Sequence, residues 1–456
     1  MPDESLIKDY TNGPVTRQLM SFAWPFMVSH LMQTAYNLVD MAVVGRFVGK
    51  AGLAAVGVGA DIIHTYNFLA LGLCNAGQVL ISQYVGRKDR ASVTKMVGTM
   101  FTGVLAFSLA VTGFGLVFAD SILSWLHVPG QALAACRQYT LCCTAGLFFL
   151  FGYTMVSAIL RGLGEAIRPM VFVAIASVLN GVLDVVLVGQ GMGPLGAALA
   201  TVTAQAVSFL LAVVYLWRRR DRLGFDFRRR DLIPDRHNLR LLLKLGVPMM
   251  IQSSAINLSM LFVSSRINAY GVTVAAVTGV GQKLSAIGSI VCLALSQAGA
   301  TMVGQNFAAR QFDRVRKILV TALLAGMSFA ALLAAVVVLA PERVFAIFNR
   351  DSQVLAMSHA YSLVAVLNYF SWATRGPSTA LCNGMGWPAM NLALGVLDGV
   401  VIRVGLCLLL AETFGMGVMG YWLGGALAGY AFILVMGPYF LSGRWKNRQP
   451  PVDKGR

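Results

Sequence analysis

Runs of about 20 predominantly apolar residues recur along nearly the whole of this 456-residue chain, and each is long enough to cross a bilayer's hydrocarbon as a helix. No water is present at that depth to bond an exposed backbone, so such a chain folds as a helix bundle or a closed barrel. A barrel needs short strands of alternating polarity, whereas the runs here are continuous, which selects helices. Twelve spans are expected, at roughly 17–44, 53–83, 93–118, 134–160, 169–189, 195–217, 241–267, 274–303, 317–340, 355–382, 388–411 and 418–441. Only 12% of the residues are charged, against about 25% in a soluble domain, so the fold class is an all-α membrane protein.

An even number of spans puts both termini on one side, and the basic residues say which. Of the 36 Lys and Arg, 27 fall in the loops and tails on the terminal side and five in the opposite loops. Positive loops stay cytoplasmic, so both termini are expected there, in a multi-pass protein of the inner (cytoplasmic) membrane. The formal charge of +17 is then topology and contact with anionic lipid headgroups, not a nucleic-acid footprint. No cleavable signal is expected, because residues 2–16 are polar and the apolar run after them is too long for a signal's core. The seven Cys lie in apolar runs without paired spacing and the five His make no ligand pattern, so neither points to disulfides, metal or enzyme chemistry.

The two halves of the chain repeat one another. Ala23-Trp24-Pro25-Phe26-Met27 matches Gly246-Val247-Pro248-Met249-Met250, Ser82-Gln83-Tyr84 matches Gly304-Gln305-Asn306, and Gly162-Leu163-Gly164 matches Gly384-Met385-Gly386, at offsets of 221–223 residues. Six spans per repeat make the repeats parallel, which predicts two six-helix bundles related by a pseudo-two-fold axis along the membrane normal. The expected domains are an N-terminal bundle at 1–217, a basic linker at 218–240, a C-terminal bundle at 241–442 and a basic tail at 443–456. Alternating access by rocking one bundle against the other follows as the expected mechanism.

Inside the first span stands Asp40, although an Asp at the centre of a membrane helix costs roughly 2.5–3.5 kcal/mol. Helical spacing places Ser29, Gln33, Tyr36 and Asn37 on the same side, as a polar stripe. Gln33, Tyr36 and Asn37 are candidates for touching a substrate, or for holding helices together. In the fifth span Asp184 shares a face with Asn180 and Ser177, and in the sixth Thr201, Gln205 and Ser208 share another. Two carboxylates with an amide and a hydroxyl suit a proton or a Na⁺ ion equally, and the sequence leaves that choice open. Asp61 and Lys283 are repeat equivalents of opposite charge, which suggests an ion pair closing an outer gate. Arg375, Arg403 and Asp398 are the deep charges of the second half, either paired structurally or available to an anionic substrate.

With these residues in view the chain resembles, over nearly its full length, the multidrug and toxic compound extrusion (MATE) transporters. The likeness rests on Pro25 with Asp40-Met41-Ala42-Val43-Val44-Gly45, Ala54-Ala55-Val56-Gly57, Ser82-Gln83-Tyr84-Val85-Gly86, Arg161-Gly162-Leu163-Gly164 with Pro169, and Asn180-Gly181-Val182-Leu183-Asp184 running into Gly196-Ala197-Ala198-Leu199-Ala200-Thr201. The stretch from Pro248 to Ser265 holds no acid, which is similar to the DinF-like branch, whose acids lie in the first bundle. The resemblance implies a coupling site formed by Asp40, Asn180, Asp184 and Thr201, with Tyr139 nearby. Asp40, Asn180 and Asp184 would be the ligands if the ion is Na⁺. It further implies a monomeric antiporter exporting amphipathic, cationic organic compounds in exchange for H⁺ or Na⁺, with no other cofactor. The alternative is a flippase for a lipid-linked sugar or cell-wall precursor, which the three deep cations Lys283, Arg375 and Arg403 keep in play.

Overall fold

The computed structural model describes residues 7–126, 128, 130–220 and 232–453, and every regular element among them is helical. In chain order these are α1 (Val15–Phe47), α2 (Gly49–Gly86), α3 (Arg90–Val117), α4 (Ala119–Trp125), α5 (Gly130–Ala145), α6 (Leu147–Gly162), α7 (Ile167–Leu187) and α8 (Gly193–Arg218). The second half has α9 (Arg236–Asn268), α10 (Val272–Ala308), α11 (Phe312–Leu339), α12 (Pro341–Ala346), α13 (Ser352–Ala356), α14 (Ser358–Gly384), α15 (Pro388–Thr413) and α16 (Val418–Leu441). Setting aside the short α4, α12 and α13 and pairing α5 with α6 leaves the twelve expected spans. Most are apolar enough to cross a bilayer by length and composition, but α1 and α14 are not, because they carry rows of polar side chains. Those two helices also hold Asp40 and Arg375.

The fourth span differs from its expected straight run. It is bent by 45° between Ala145 and Leu147. Gly146 sits at the bend, and a Cβ there would lie 2.4 Å from the Val202 side chain of α8, so the missing side chain lets α8 press into the break. The seventh span also begins earlier than expected, at Arg236, inside the segment assigned to the linker. Asp235 explains this: its Oδ1 accepts from Asn238 N at 2.9 Å, an N-cap that starts the helix there. The rest of the linker, residues 221–231 with the Arg228-Arg229-Arg230 cluster, lies outside the described residues, as do residues 1–6 and the last three of the basic tail.

The chain divides into two compact units, one made of Val28–Met250 with residues 7–9, the other of Tyr10–Met27 with residues 251–453. Both internal divisions fall three residues beyond a helical proline, Pro25 in α1 and Pro248 in α9. Proline donates no hydrogen bond and crowds the carbonyl one turn back, so each helix changes unit where its ladder is already interrupted.

In the first unit α2 is the central rod, flanked by α3, α5 and α6. In the second, α10 and α14 form the closest pair, with α11 against α14. Equivalent positions carry equivalent packing. A Cβ on Gly59 would lie 2.3 Å from the Tyr139 ring, and one on Gly281 would lie 2.0 Å from the Tyr361 ring. Each pair is offset by 222 residues, so the repeat preserves a tyrosine ring packed against a glycine.

Candidate coupling site in the first unit

Three helices of the first unit meet through one hydroxyl. Tyr36 Oη of α1 lies 3.1 Å from Thr201 Oγ1 of α8, and Asn180 Nδ2 of α7 donates to the same Thr201 oxygen at 3.4 Å. One helical turn beyond Tyr36 is Asp40, 7% exposed, and one turn beyond Asn180 is Asp184, fully buried. Each acid thus stands one turn further along its helix from a side chain that shares Thr201 Oγ1.

The donor set of this site is one-sided. Asp40 Oδ1, Asn180 Oδ1, both carboxylate oxygens of Asp184 and Gln205 Oε1 have no hydrogen-bond donor among the described residues. Neither carboxylate meets a basic side chain at ion-pair distance among the described residues, although such pairs exist elsewhere in the chain. A desolvated carboxylate with no donor and no counter-charge is stable only when it is protonated or binds a cation. The residues present therefore fit H⁺ on a carboxyl, or Na⁺ among hard oxygens. Gln205 stands one turn beyond Thr201 and extends the acceptor set beyond the four residues expected.

The polar stripe of α1 divides along its length. Tyr36 and Asp40 turn toward α7 and α8, whereas Gln33 and Asn37, on the other edge, are exposed and make no hydrogen bond to a described residue. A cleft of about 570 Å³ opens between α1 and α7, lined by Met32, Tyr36, Val39, Ser177 and Gly181 among others. Its wall is almost wholly apolar, and Tyr36 alone links it to the acids. Tyr139 lies in an apolar cluster with Val43, Val44, Val56 and Cys143. Tyr361 occupies the same niche in the second unit, so the packing of the ring on a glycine is common to both repeats.

The remaining charges are distributed by unit. Asp61 is exposed in the first unit; Lys283 is exposed in the second, its Nζ 5.6 Å from the Phe348 ring centre. Arg137 pairs with Asp120 at the end of α3–α4. Asp398 is fully buried in α15 and bridges two arginines, accepting from Arg403 NH2 at 3.0 Å and facing Arg375 NH1 of α14 at 3.0 Å. Asp398 and Arg403 are five residues apart, a spacing that points them in different directions on an α-helix. The chain is π-helical from Leu397 to Val404, and closing i to i+5 brings the two into register. Structural pairing was one of the two alternatives expected for these charges, and the π turn supplies the register for it. The available signal was that one deep acid stands among two deep arginines.

Two repeated sets of six helical spans, with a buried acceptor-only site on the first, define a multi-pass membrane transporter. A single family model, MatE, matches the chain twice, over residues 25–186 and again over 248–409, so the chain belongs to the MATE family. Among relatives, "Probable multidrug resistance protein YoeA" of Bacillus subtilis is 25% identical, over 98% of both chains. "Probable multidrug resistance protein YpnP" of the same organism is 30% identical, over 67% of this chain and 68% of its own. Among solved structures, a MOP superfamily transporter from Pyrococcus furiosus superposes with a TM-score of 0.90 at 22% identity, over 98% of this chain and all of that one. The fold is therefore the twelve-helix, two-lobed MATE fold.

Proposed function

We propose that this protein is a secondary active multidrug efflux antiporter of the cytoplasmic membrane, with both termini inside. It exports amphipathic, cationic organic compounds in exchange for inward H⁺ or Na⁺. The observation that carries the reading is that Asp40 and Asp184 are both buried without a basic partner among the described residues, while the deep acid of the second unit faces two arginines. The names of the relatives, which speak of multidrug resistance and export, support the efflux part of the reading. Placement of the acids in the first unit agrees with a DinF-like ancestry.

The antiport logic follows from the donor set. Without a coupling cation the two carboxylates attract a cationic cargo; once a cation is bound, that attraction is cancelled and the hydrogen bonding around Tyr36 and Thr201 changes. Both events fall on α1, whose backbone ladder is interrupted at Pro25 and whose two ends belong to different units. A bend there couples site loading to the alternation of access. A lipid-linked sugar flippase would need several free cations for its pyrophosphate, and Asp398 cancels one of the two charges of Arg375 and Arg403, leaving a single net positive charge.

The test is efflux of a fluorescent organic cation from proteoliposomes under separately imposed pH and Na⁺ gradients. One gradient drives transport in the wild type, and Asp40→Asn combined with Asp184→Asn abolishes that dependence. Undiminished ion-driven efflux by the double variant would overturn the proposal.

A further inference from the structure

The buried charges of the second unit do not sum to zero. Between residues 251 and 442 the acids are Asp313, Glu342, Asp351, Asp398 and Glu412, and only Asp398 lies deep within a span. It faces two guanidinium groups, and arginine keeps its charge even when buried. One net positive charge therefore remains about 14 Å along α14 from Gly384, near mid-bilayer depth.

The two arginines are held differently. Arg403 donates one NH2 bond to Asp398 and one NH1 bond to Gly425 O at 3.0 Å, and its side chain is 8% exposed. Arg403 Nε is buried and has no partner among the described residues. Arg375 spends one arm on Asp398, and its remaining N–H groups meet no acceptor among the described residues. Its side chain is 15% exposed, so those donors reach accessible space. Two aromatic rings flank it, the Phe432 centre 4.4 Å and the Trp372 centre 5.3 Å from Cζ, so the guanidinium is held among apolar walls while part of its donor set stays unused. Along α14 the same partly exposed row continues through Trp372 and Asn368, both of which donate to Ser285 Oγ of α10. A rigid guanidinium edge with aromatic walls matches an oxyanion carried on an apolar body.

We infer that Arg375, oriented by Asp398 and backed by Arg403, is an oxyanion-binding subsite for the transported molecule, recognising a carboxylate or phosphate group on an amphipathic cargo. The best cargo then carries an acidic group as well as a basic one. The inference rests on the efflux reading only in that the ligand is cargo, so its test is a binding measurement that needs no transport. A single net charge matches one oxyanion and falls short of a pyrophosphate.

The probes are 1-pyrenebutyrate and its uncharged methyl ester, bound to the purified full-length protein in a chloride-free gluconate buffer and read by equilibrium dialysis. Wild type is expected to prefer the carboxylate by about tenfold, the worth of one charge-assisted hydrogen bond. Arg375→Gln removes the preference and leaves ester binding unchanged; Arg375→Lys retains part of it. Melting curves of each variant verify folding, and Arg375→Gln leaves a neutral Asp398–Arg403 pair that favours it. Competition by phosphatidylglycerol but not phosphatidylcholine would identify a lipid phosphate as the oxyanion's source; competition by a soluble aryl phosphate would identify a free cargo. Equal binding of carboxylate and ester by wild type, or an intact preference in Arg375→Gln, overturns the inference, as does displacement of the probe by chloride alone. Failure of ion-driven efflux in the proteoliposome assay would refute the antiport scheme and leave this result untouched.

Discussion

Replacing Asp398 by Asn should be the most damaging single change in the second unit. Asp398 is fully buried and opposes two guanidinium groups, each at 3.0 Å. Breaking a buried pair by removing one partner costs about 3–5 kcal/mol, because an uncompensated charge is left behind. Here two such charges are left, so the upper part of that range applies. Unfolding entropy near 60 °C is about 2.1 cal/mol/K per residue, or ~0.4 kcal/mol/K for roughly 200 residues of one unit, so a loss of about 4–5 kcal/mol should lower the melting temperature by about 10–12 °C. Arg375→Gln should do far less, since it leaves one acid paired with one arginine and restores neutrality. Arg403→Gln should fall between them, because the bond to Gly425 O is lost as well. Adding Arg403→Gln to Asp398→Asn should recover part of the loss by removing one of the orphaned charges. Thermal melting of the four purified variants in one detergent, followed by tryptophan fluorescence and size-exclusion recovery, gives the order. If Asp398→Asn melts within about 1 °C of wild type, or Arg375→Gln is as unstable as Asp398→Asn, the charge assignment of the triad is wrong.

Three further outcomes concern the shared hydroxyl of the first unit, the repeated glycine–tyrosine packing and the anchoring of the chain's beginning. Thr201→Val keeps the side chain's shape but strands Tyr36 Oη and Asn180 Nδ2, at about 1–3 kcal/mol for a buried unpaired group, and should weaken the coupling ion's apparent affinity; unchanged melting and ion dependence would refute the shared-hydroxyl geometry. Gly59→Ala and Gly281→Ala should each destabilise by about 1–3 kcal/mol through collision with a tyrosine ring, whereas Tyr139→Phe should transport normally, and a transport defect in Tyr139→Phe would restore a chemical role to that hydroxyl. Arg314 bonds the carbonyls of Tyr10 and Gly13 and the side chains of Gln18 and Asn306, so Arg314→Ala should make trypsin cleavage at Arg17 several-fold faster in limited proteolysis.

Much of this was legible in the sequence because bilayer depth turns composition into position. The spans, their repeat and the costly acids Asp40 and Asp184 are one-dimensional signals. Apolar run length sets the first, an offset the second, and the wrong polarity at the wrong depth the third. What escaped depends on departures from ideal helices. The bend at Gly146 arises from a contact with Val202, 56 positions away. The early start of α9 comes from a single cap at Asp235. The π turn from Leu397 to Val404 changes which residues share a face, so the pairing of Asp398 with Arg403 could be expected only as one of two alternatives, without the register that realises it. Likewise, helical projection put Gln33 and Asn37 on one stripe with Tyr36 and Asp40, but it could not say which edge of the stripe another helix would cover.

The repeat makes the charge asymmetry between the units informative. The family model matches twice at an offset of 223 residues, which sets Val263 opposite Asp40, Arg403 opposite Asn180 and Cys407 opposite Asp184. Where the first unit has two acids and an amide, the second has two apolar residues and a cation. If the sites were structural glue, the simplest outcome of a duplicated bundle would be the same glue in each copy, as the Gly59–Tyr139 and Gly281–Tyr361 pairs illustrate. The packing is duplicated while the charge is inverted, so the polar residues answer to something other than packing. That separation gives a direct experiment: Val263→Asp places an acid in the second unit within a niche that has no Asp184 counterpart. A protein that still folds, with a melting temperature lowered by the buried carboxyl, but has unchanged ion dependence is expected, because one carboxylate without the paired acid and its oxygen neighbours does not make a site. A gain of a second titrating step in ion-driven efflux would show instead that depth alone suffices, and the pairing of Asp40 with Asp184 would lose its place in the mechanism.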